Sequence, residues 1–369
     1  MIRLSKSTLT EDDKSAVLDV LNREFLGMGP EVKKFETELE TYFSRSVVAV
    51  NSGTAALHAA LQGCGIGRGD EVLVPSLTYV ATFQAISATG ATPVACDIDN
   101  TLHMDPKDTE SRLTVKTRAI MPVHYGGSMG RLNELYALAR KNDLRVIEDA
   151  AHAFGSSYED KRVGSVGDIA CFSFDGIKNI TSGEGGCIVT SDMECLEKIK
   201  DLRLLGVNKD SEKRYNQTRS WEFDVTDQGW RYHMSDIMAA LGRSQFKRFP
   251  DISTQRKSAA VYYDELLANI NRIEIIKQNR ETVVPHIYTI LLARGVDRSA
   301  LRIYLENKGI QTGIHYFPNH LLTFYKKTSV KELPITEALY PRLLSLPLHL
   351  DLEPGDQEYI ASTLQNYLA

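Results

Sequence analysis

The sequence predicts a three-layer α/β protein in two parts. A large domain over residues 1–244 has a mostly parallel central sheet, and a smaller α+β domain covers residues 245–369. Two observations predict the sheet. Short apolar runs recur at Val47 to Val50, Glu71 to Val74, Thr92 to Cys96, Ala119 to Val123, Leu144 to Glu148, Ile169 to Phe174 and Cys187 to Thr190. Their hydrophobicity is continuous rather than alternating, as strands covered on both faces require. Segments of helical spacing, such as Arg131 to Lys141, lie between them, the order that builds parallel strands with crossover helices. A third observation marks the second domain. From about Gln245 the character changes to a long charged helix, two strands (Ile273 to Lys277 and His286 to Ala293), a helix over Ser299 to Lys308 and two closing helices.

At 369 residues the chain is long enough for two domains and a large core. A net charge of −5 gives no electrostatic reason to expect nucleic acid or an anionic membrane as a partner. The five cysteines are odd in number, form no CxxC pair and sit in apolar surroundings, so they read as reduced thiols of a cytosolic protein. The stretch Met1 to Lys6 lacks the apolar run of a signal peptide, and no stretch approaches a membrane span. The expected compartment is the cytoplasm.

Taken in order, Thr10 is placed to cap a first helix, with acidic residues in its first turn and Val17, Leu18, Leu21 and Phe25 as its apolar stripe. Leu26 to Pro30 breaks the chain, and Pro30 suits the first turn of a second helix carrying Val32, Phe35, Leu39 and Phe43. Ligands of parallel sheets bind beyond the C-terminal ends of the strands, so the residues following each strand carry the chemistry. After the first strand, Asn51-Ser52-Gly53-Thr54-Ala55-Ala56 opens a helix whose free amides and small side chains form an anion site. After the second, Ser76-Leu77-Thr78-Tyr79 places an aromatic ring at the same edge. The fourth is followed by His124-Tyr125-Gly126-Gly127, in which His124 is either structural or functional.

The fifth strand ends in Glu148-Asp149-Ala150-Ala151-His152. A carboxylate at the end of a buried strand is costly unless something positive meets it, and a pyridinium nitrogen is such a partner. His152 is near enough to lie against the same ring. The hairpin Cys171 to Thr190 then holds Lys178 on a glycine-bearing loop between two strands. A lysine in a low-dielectric pocket can react as the neutral amine and condense with an aldehyde to form a Schiff base. Pyridoxal 5'-phosphate combines that aldehyde with the pyridine ring and an anionic group. The run Gly63 to Gly69 is no dinucleotide fingerprint, because it follows a helix and precedes a strand. His315 and His320 lack the carboxylate or cysteine that completes a metal-ligand set, so no metal is expected.

These pieces together resemble the DegT/DnrJ/EryC1/StrS family of sugar aminotransferases, which are pyridoxal-phosphate enzymes of the aspartate-aminotransferase fold type I. The likeness runs through Gly27 to Pro30 with Phe35, Ser52 to Leu57, Gly69 to Val72, Pro75 to Thr78 and Glu148 to His152. It continues in Phe172 to Phe174, Lys178-Asn179, Gly183 to Gly186, His315-Tyr316 and Leu346 to Leu348. The resemblance implies that Lys178 binds the cofactor covalently, Asp149 pairs with the ring nitrogen, Tyr79 and His152 flank the ring, and Gly53, Thr54 and Ser173 hold the phosphate. Met28, Glu184, His315 and Tyr316 would meet the substrate. It also implies L-glutamate as amino donor, a nucleotide-linked 3- or 4-keto-deoxysugar as acceptor, an amino sugar for a surface polysaccharide such as O-antigen or for a glycoside as product, and a homodimer with shared active sites.

In the family a segment matching Gly229 to Met234 reaches the partner's phosphate, which assigns Arg231 to cofactor binding. Here Gly229-Trp230-Arg231-Tyr232-His233 stands in place of the usual Gly-aromatic-Asn-aromatic-Arg, and Asp175-Gly176-Ile177 in place of His-Pro-Thr before the lysine. The competing readings are a cyclitol aminotransferase of the same family, or a regulatory protein that keeps the fold without turnover. The lysine at position 178 argues against a family dehydratase, which carries histidine there.

Overall fold

The computed structural model describes residues 1–219, 221–326 and 331–369. The chain opens with helix α1 (Glu11–Asn22), started by a capping box in which Thr10 and Asp13 satisfy each other's main-chain amides. Helix α2 (Pro30–Phe43) begins with Pro30 at a position that needs no amide donor. Seven strands follow: β1 (Ser46–Val50), β2 (Glu71–Pro75), β3 (Thr92–Cys96), β4 (Thr117–Ile120), β5 (Arg145–Asp149), β6 (Ile169–Ser173) and β7 (Gly186–Thr190). They form one sheet in the order β1-β7-β6-β5-β4-β2-β3. The ladder from β3 to β6 is parallel, whereas β7 runs antiparallel to both of its neighbours. The strand expected over Ala119 to Val123 ends at Ile120, just before Pro122, which has no N–H to give a ladder.

Helices cover both faces. Val48, Val50, Cys171 and Ile188 pack against α3 (Gly53–Gly63), α4 (Val80–Ala88) and α6 (Met193–Leu202). Their neighbours Val47, Ala49, Phe172, Cys187 and Val189 point the other way, among residues of α2, α5 (Leu132–Lys141) and α7 (Asp236–Lys247). The unbroken hydrophobicity of the strands thus reflects two cores, one on each side. Among the described residues, no helix is long and apolar enough to cross a membrane.

The edge strand β1 is closed by side chains. Ala49 N donates to Glu36 Oε1 at 2.9 Å, and Ala49 O accepts from Arg203 Nη1 at 2.8 Å. Arg203, fully buried, is itself 2.5 Å from Glu36 Oε1, and Tyr215 bonds both residues. A bare edge would expose peptide groups to any other strand, and this clamp removes that edge one turn before the residues of the anion site.

The small domain is a three-stranded antiparallel sheet, β8 (Ile273–Ile275), β9 (Tyr288–Leu292) and β10 (Leu343–Leu346), packed with α8 (Phe249–Leu267), α9 (Arg298–Asn307) and α10 (Pro354–Leu368). Strand β10 is absent from the sequence reading. Its four residues between Pro341 and Pro347 are too few to show a period. The expected boundary at 244/245 falls inside α7, and the two cores part within α8: Phe249 and Ile252 belong to the large one, Ala260 and Tyr263 to the small. The N-terminus also crosses over. Ile2 exchanges main-chain bonds with Gly309 and Gln311, and Leu348 N donates to Leu4 O at 3.0 Å.

Removing one partner from a buried ion pair strands the other charge, at a cost of about 3–5 kcal/mol. Glu36→Ala should lower the unfolding free energy by about that amount, read from the urea midpoint. The double replacement Glu36→Leu, Arg203→Met removes the stranded charge but leaves the Ala49 N–H and C=O without partners, so it should recover only part of the loss.

Candidate active site

A cleft of about 450 Å³ opens at the C-terminal ends of the parallel strands. Its walls are the turn after β1 (Ser52, Gly53, Thr54, Leu57), the turn after β2 (Thr78, Tyr79, Ala81, Thr82), Val123, and the end of β5 with its sequel (Asp149, Ala151, His152). The hairpin β6–β7 adds Ser173, Asp175, Ile177, Lys178 and Glu184, and the small domain closes one side with His315 and Tyr316. Residues from 52 to 316 therefore converge on one space.

The anion site forms because Ser52 caps α3: its Oγ accepts from Ala55 N at 3.1 Å and its carbonyl from Ala56 N at 3.0 Å. The amides of Gly53 and Thr54 precede the first helical bond and lie at the positive end of the helix dipole. Gly53 is there for space, since a Cβ on it would stand 2.7 Å from Ser173 Cβ and 3.0 Å from Ser173 Oγ. Glycine and serine thus make a shallow cradle into which a group bearing several oxygens fits.

Asp149 is 6% exposed. Its Oδ2 accepts from Thr82 Oγ1 at 2.8 Å and its Oδ1 from Ala151 N at 3.2 Å. Thr82 is in turn bonded to Thr78 Oγ1 at 2.8 Å. Burial pushes the Asp149 carboxyl above its usual range, against the pull of these hydrogen bonds and then of Lys178 and His124. A buried carboxylate whose hydrogen-bond donors are all neutral suits an incoming positive ring nitrogen.

Lys178 is aimed by a local turn. Asp175 Oδ1 accepts from Ile177 N at 3.2 Å, and Lys178 N donates to Asp175 O at 3.0 Å. The amine is 3.3 Å from His286 Nε2. Burial, the largest influence, pulls it from 10.5 down to about 8, with Asp175 and Asp149 pulling upward and Arg256 downward. His152 is buried, and its Nδ1 accepts from Gly126 N at 3.3 Å, which leaves the ring proton on Nε2 to donate to Tyr316 Oη at 2.9 Å. The Tyr316 hydroxyl proton is then free for the cleft. Burial, and then the charges of Lys178 and His315, hold His152 well below the usual imidazole value. At the mouth Tyr79 is 59% exposed and 5.6 Å from the Tyr316 ring, and Glu184, also exposed, lines the same cleft.

Two expected site residues lie elsewhere. Met28 is 2% exposed and packed in the core with Val32 and Phe35, because the break at Gly27 and Gly29 turns its side chain inward. It does not wall the cleft of its own chain, and neither does the segment 208–228 within its described residues. Arg231 is exposed and outside the cleft, on a segment that extends the β1 edge through Asn51 N to Tyr232 O at 2.7 Å. His124 has a structural place: fully buried, its Nε2 is 2.7 Å from Glu148 Oε2.

The sequence reading missed Thr82, which the spacing of Thr78 and Thr82 directly after β2 could have revealed. It also missed His286 and Arg256, for which the sequence carries no signal.

Fold and site define a pyridoxal-phosphate aminotransferase of fold type I. The model of the DegT/DnrJ/EryC1/StrS aminotransferase family matches residues 7–365, and the chain belongs to that family. It is 36% identical over 366 residues to the spore coat polysaccharide biosynthesis protein SpsC of Bacillus subtilis, covering 96% of this chain and 94% of that one. Among solved structures it resembles Spr1654 of Streptococcus pneumoniae, described as a sugar aminotransferase. The PLP-form has 32% identity and a TM-score of 0.91, over 99% of this chain and 98% of that one. It also resembles PseC of Helicobacter pylori, an aminotransferase involved in the biosynthesis of pseudoaminic acid, with 29% identity and a TM-score of 0.92 over 100% and 99% of the two chains. The cradle at Gly53, the buried Asp149 and the depressed Lys178 amine fit the cofactor of this family.

An amine-selective reagent applied to the cofactor-free protein should modify Lys178 with a midpoint near pH 8, as followed by peptide mass spectrometry across pH. Surface lysines should follow the ordinary value of about 10.4. A Lys178 midpoint equal to theirs would contradict the assignment of this amine as the reacting group.

Proposed function

We propose that this enzyme transfers the amino group of L-glutamate to the C3 or C4 ketone of a nucleotide-linked keto-deoxysugar, giving an amino sugar for a surface polysaccharide or glycoside. The observation that carries the chemistry is the convergence of Lys178, Asp149 and the Gly53–Ser173 cradle on one cleft. The sugar class is supported by the relatives, which include a spore coat polysaccharide protein and a pseudoaminic acid enzyme.

Bound pyridoxal phosphate supplies an aldehyde that exchanges between amines and a ring that withdraws electrons from the adjacent carbon. The chain's own residues do the rest. The Gly53 and Thr54 amides and the Ser173 hydroxyl hold the phosphate. Asp149 holds the ring nitrogen in its protonated form, and Thr82 and Ala151 keep that carboxylate in place. Tyr79 and His152, which line the same cleft, would flank the ring. Lys178 Nζ would anchor that group covalently, and as the free amine it would take the proton from Cα of the amino donor and, in the second half-reaction, give one to the carbon that becomes the amine carbon. Lowered to about 8, the amine is available in its neutral form to take a proton and, once protonated, can give it back near the same pH. Glu184, His315 and Tyr316 line the side from which the sugar enters.

The enzyme is further proposed to be a cytoplasmic homodimer in which the exposed Arg231 reaches the phosphate of the partner's site. The five cysteines are all unpaired thiols, in keeping with a reducing compartment.

Incubation with L-glutamate and a panel of nucleotide 3-keto and 4-keto deoxysugars should yield 2-oxoglutarate and one amino sugar, identified by mass spectrometry and NMR. Lys178→Ala should lose on the order of 10²–10⁴-fold or more in turnover. Turnover at the parent rate would remove Lys178 from its role, and a preparation that stays colourless with added pyridoxal phosphate would favour a non-catalytic protein. Asp149→Asn should keep phosphate affinity within about tenfold while turnover falls by at least about 10²-fold, because the neutral amide cannot hold the ring nitrogen's proton. Equal losses in both would place Asp149 in binding alone.

A further inference from the structure

Two polar residues that no motif marks lie directly behind Lys178. His286, just before β9, is 4% exposed, and its ring lies on that of His152 with centroids 4.4 Å apart. Arg256, on α8, is equally buried, and its Nη1 donates to the carbonyls of Pro285 and His286, each at 3.3 Å. Asn179, next to the lysine, joins the parts: its Nδ2 donates to Phe154 O at 3.1 Å and Val284 O at 3.3 Å. The lysine loop, the histidine segment and α8 are thereby locked together from three regions of the chain.

The hydrogen bond between Lys178 and His286 has a direction. His286 Nδ1 is buried without a hydrogen-bond partner. A proton placed there would be a donor with no acceptor, the costlier orphan in a low-dielectric interior. The proton therefore belongs on Nε2, which donates, and Lys178 Nζ must accept it. Only the neutral amine has a lone pair with which to do so.

The charges facing this pair come from every side. Arg256 brings a cation whose hydrogen bonds here go to carbonyls rather than to a carboxylate. Asp175 on the lysine's own loop and Asp149 at the end of β5 act the other way. His152 and His315 are held neutral by burial, His315 down to about 4. Burial, and then Lys178, His152 and Arg256, disfavour a charged His286.

We propose that His286, held in place by Arg256, is a positioning residue for Lys178: its Nε2–H donates a hydrogen bond to the amine lone pair, keeping that nitrogen neutral, nucleophilic and aimed into the cleft. The inference rests on the reading of Lys178 as the reacting amine.

The test measures the pH midpoint of Lys178 modification by an amine reagent, in full-length cofactor-free protein, together with the pH profile of turnover in the loaded enzyme. His286→Ala should move the midpoint upward by about one pH unit, so that modification at neutral pH falls about tenfold. His286→Gln, whose amide nitrogen replaces Nε2, should restore the parent midpoint. Arg256→Met should shift it upward as well, and Arg256→Lys should bring it back. A merely structural role would lower the melting temperature and leave the midpoint where it was. Parent-like midpoints in His286→Ala and Arg256→Met overturn the proposal; if Arg256→Met does not fold, the two His286 variants decide. Turnover that survives Lys178→Ala at the parent rate would instead sink the reading of the lysine, a result distinguishable from an unmoved midpoint.

Discussion

An amine and a carboxylate are buried together at the ends of neighbouring strands, and most of the structure around them follows from that constraint. Taking either charge out of water is expensive. Burial accordingly pulls Lys178 down and pushes Asp149 up, so both drift toward their neutral forms. That is a poor arrangement for stability and a good one for a reaction that needs a free amine and a carboxylate waiting for a positive ring. The hydrogen bonds from Thr82 and Ala151 to Asp149, and the turn made by Asp175 under Lys178, hold two uncomfortable groups where chemistry uses them.

The scaffold supports this from a distance. The Glu36–Arg203 clamp closes the edge of β1, and β1 delivers Ser52 to Thr54 to the cleft. The small domain is held to the large one by polar bonds at the site itself. Asn319 Nδ2 donates to Ser76 O and Thr78 O, and Tyr125 Oη donates to His315 O. Because these bonds join the turn after β2 and the loop after β4 to the segment carrying His315 and Tyr316, the two domains share one wall of the cleft. Rearrangement of either would change the space open to a substrate.

Much of this was legible in the chain. The seven sheet strands appear where continuous apolar runs stand, because a strand covered on both faces leaves no polar alternation to confuse the reading. Thr10, Pro30 and Ser52 begin their helices as cap chemistry demands. The polar residues after β1, β2, β5 and β6 meet in one cleft because parallel strands end on the same side. Less was legible where the signal is short or remote. Strand β10 has four residues and no period. Met28 sits beside a glycine pair whose backbone direction decides whether it faces core or cleft, and composition does not encode that direction. His124 could be read two ways until Glu148 was seen 2.7 Å from it.

The sequence by itself determined the order of strands and helices in the large domain, the starts of the first helices and the chemical types at each strand end, since these depend on neighbours within a few residues. Only the tertiary structure decided that β7 would run against its neighbours, that residues 1–6 would join the far domain, and that His286 and Arg256 would stand behind Lys178. Most of those outcomes depend on residues far apart in the chain, such as Ser46 with Thr190, Lys178 with His286 and Leu4 with Leu348. Their contact is set by how whole layers pack, and no local pattern of residues carries that information.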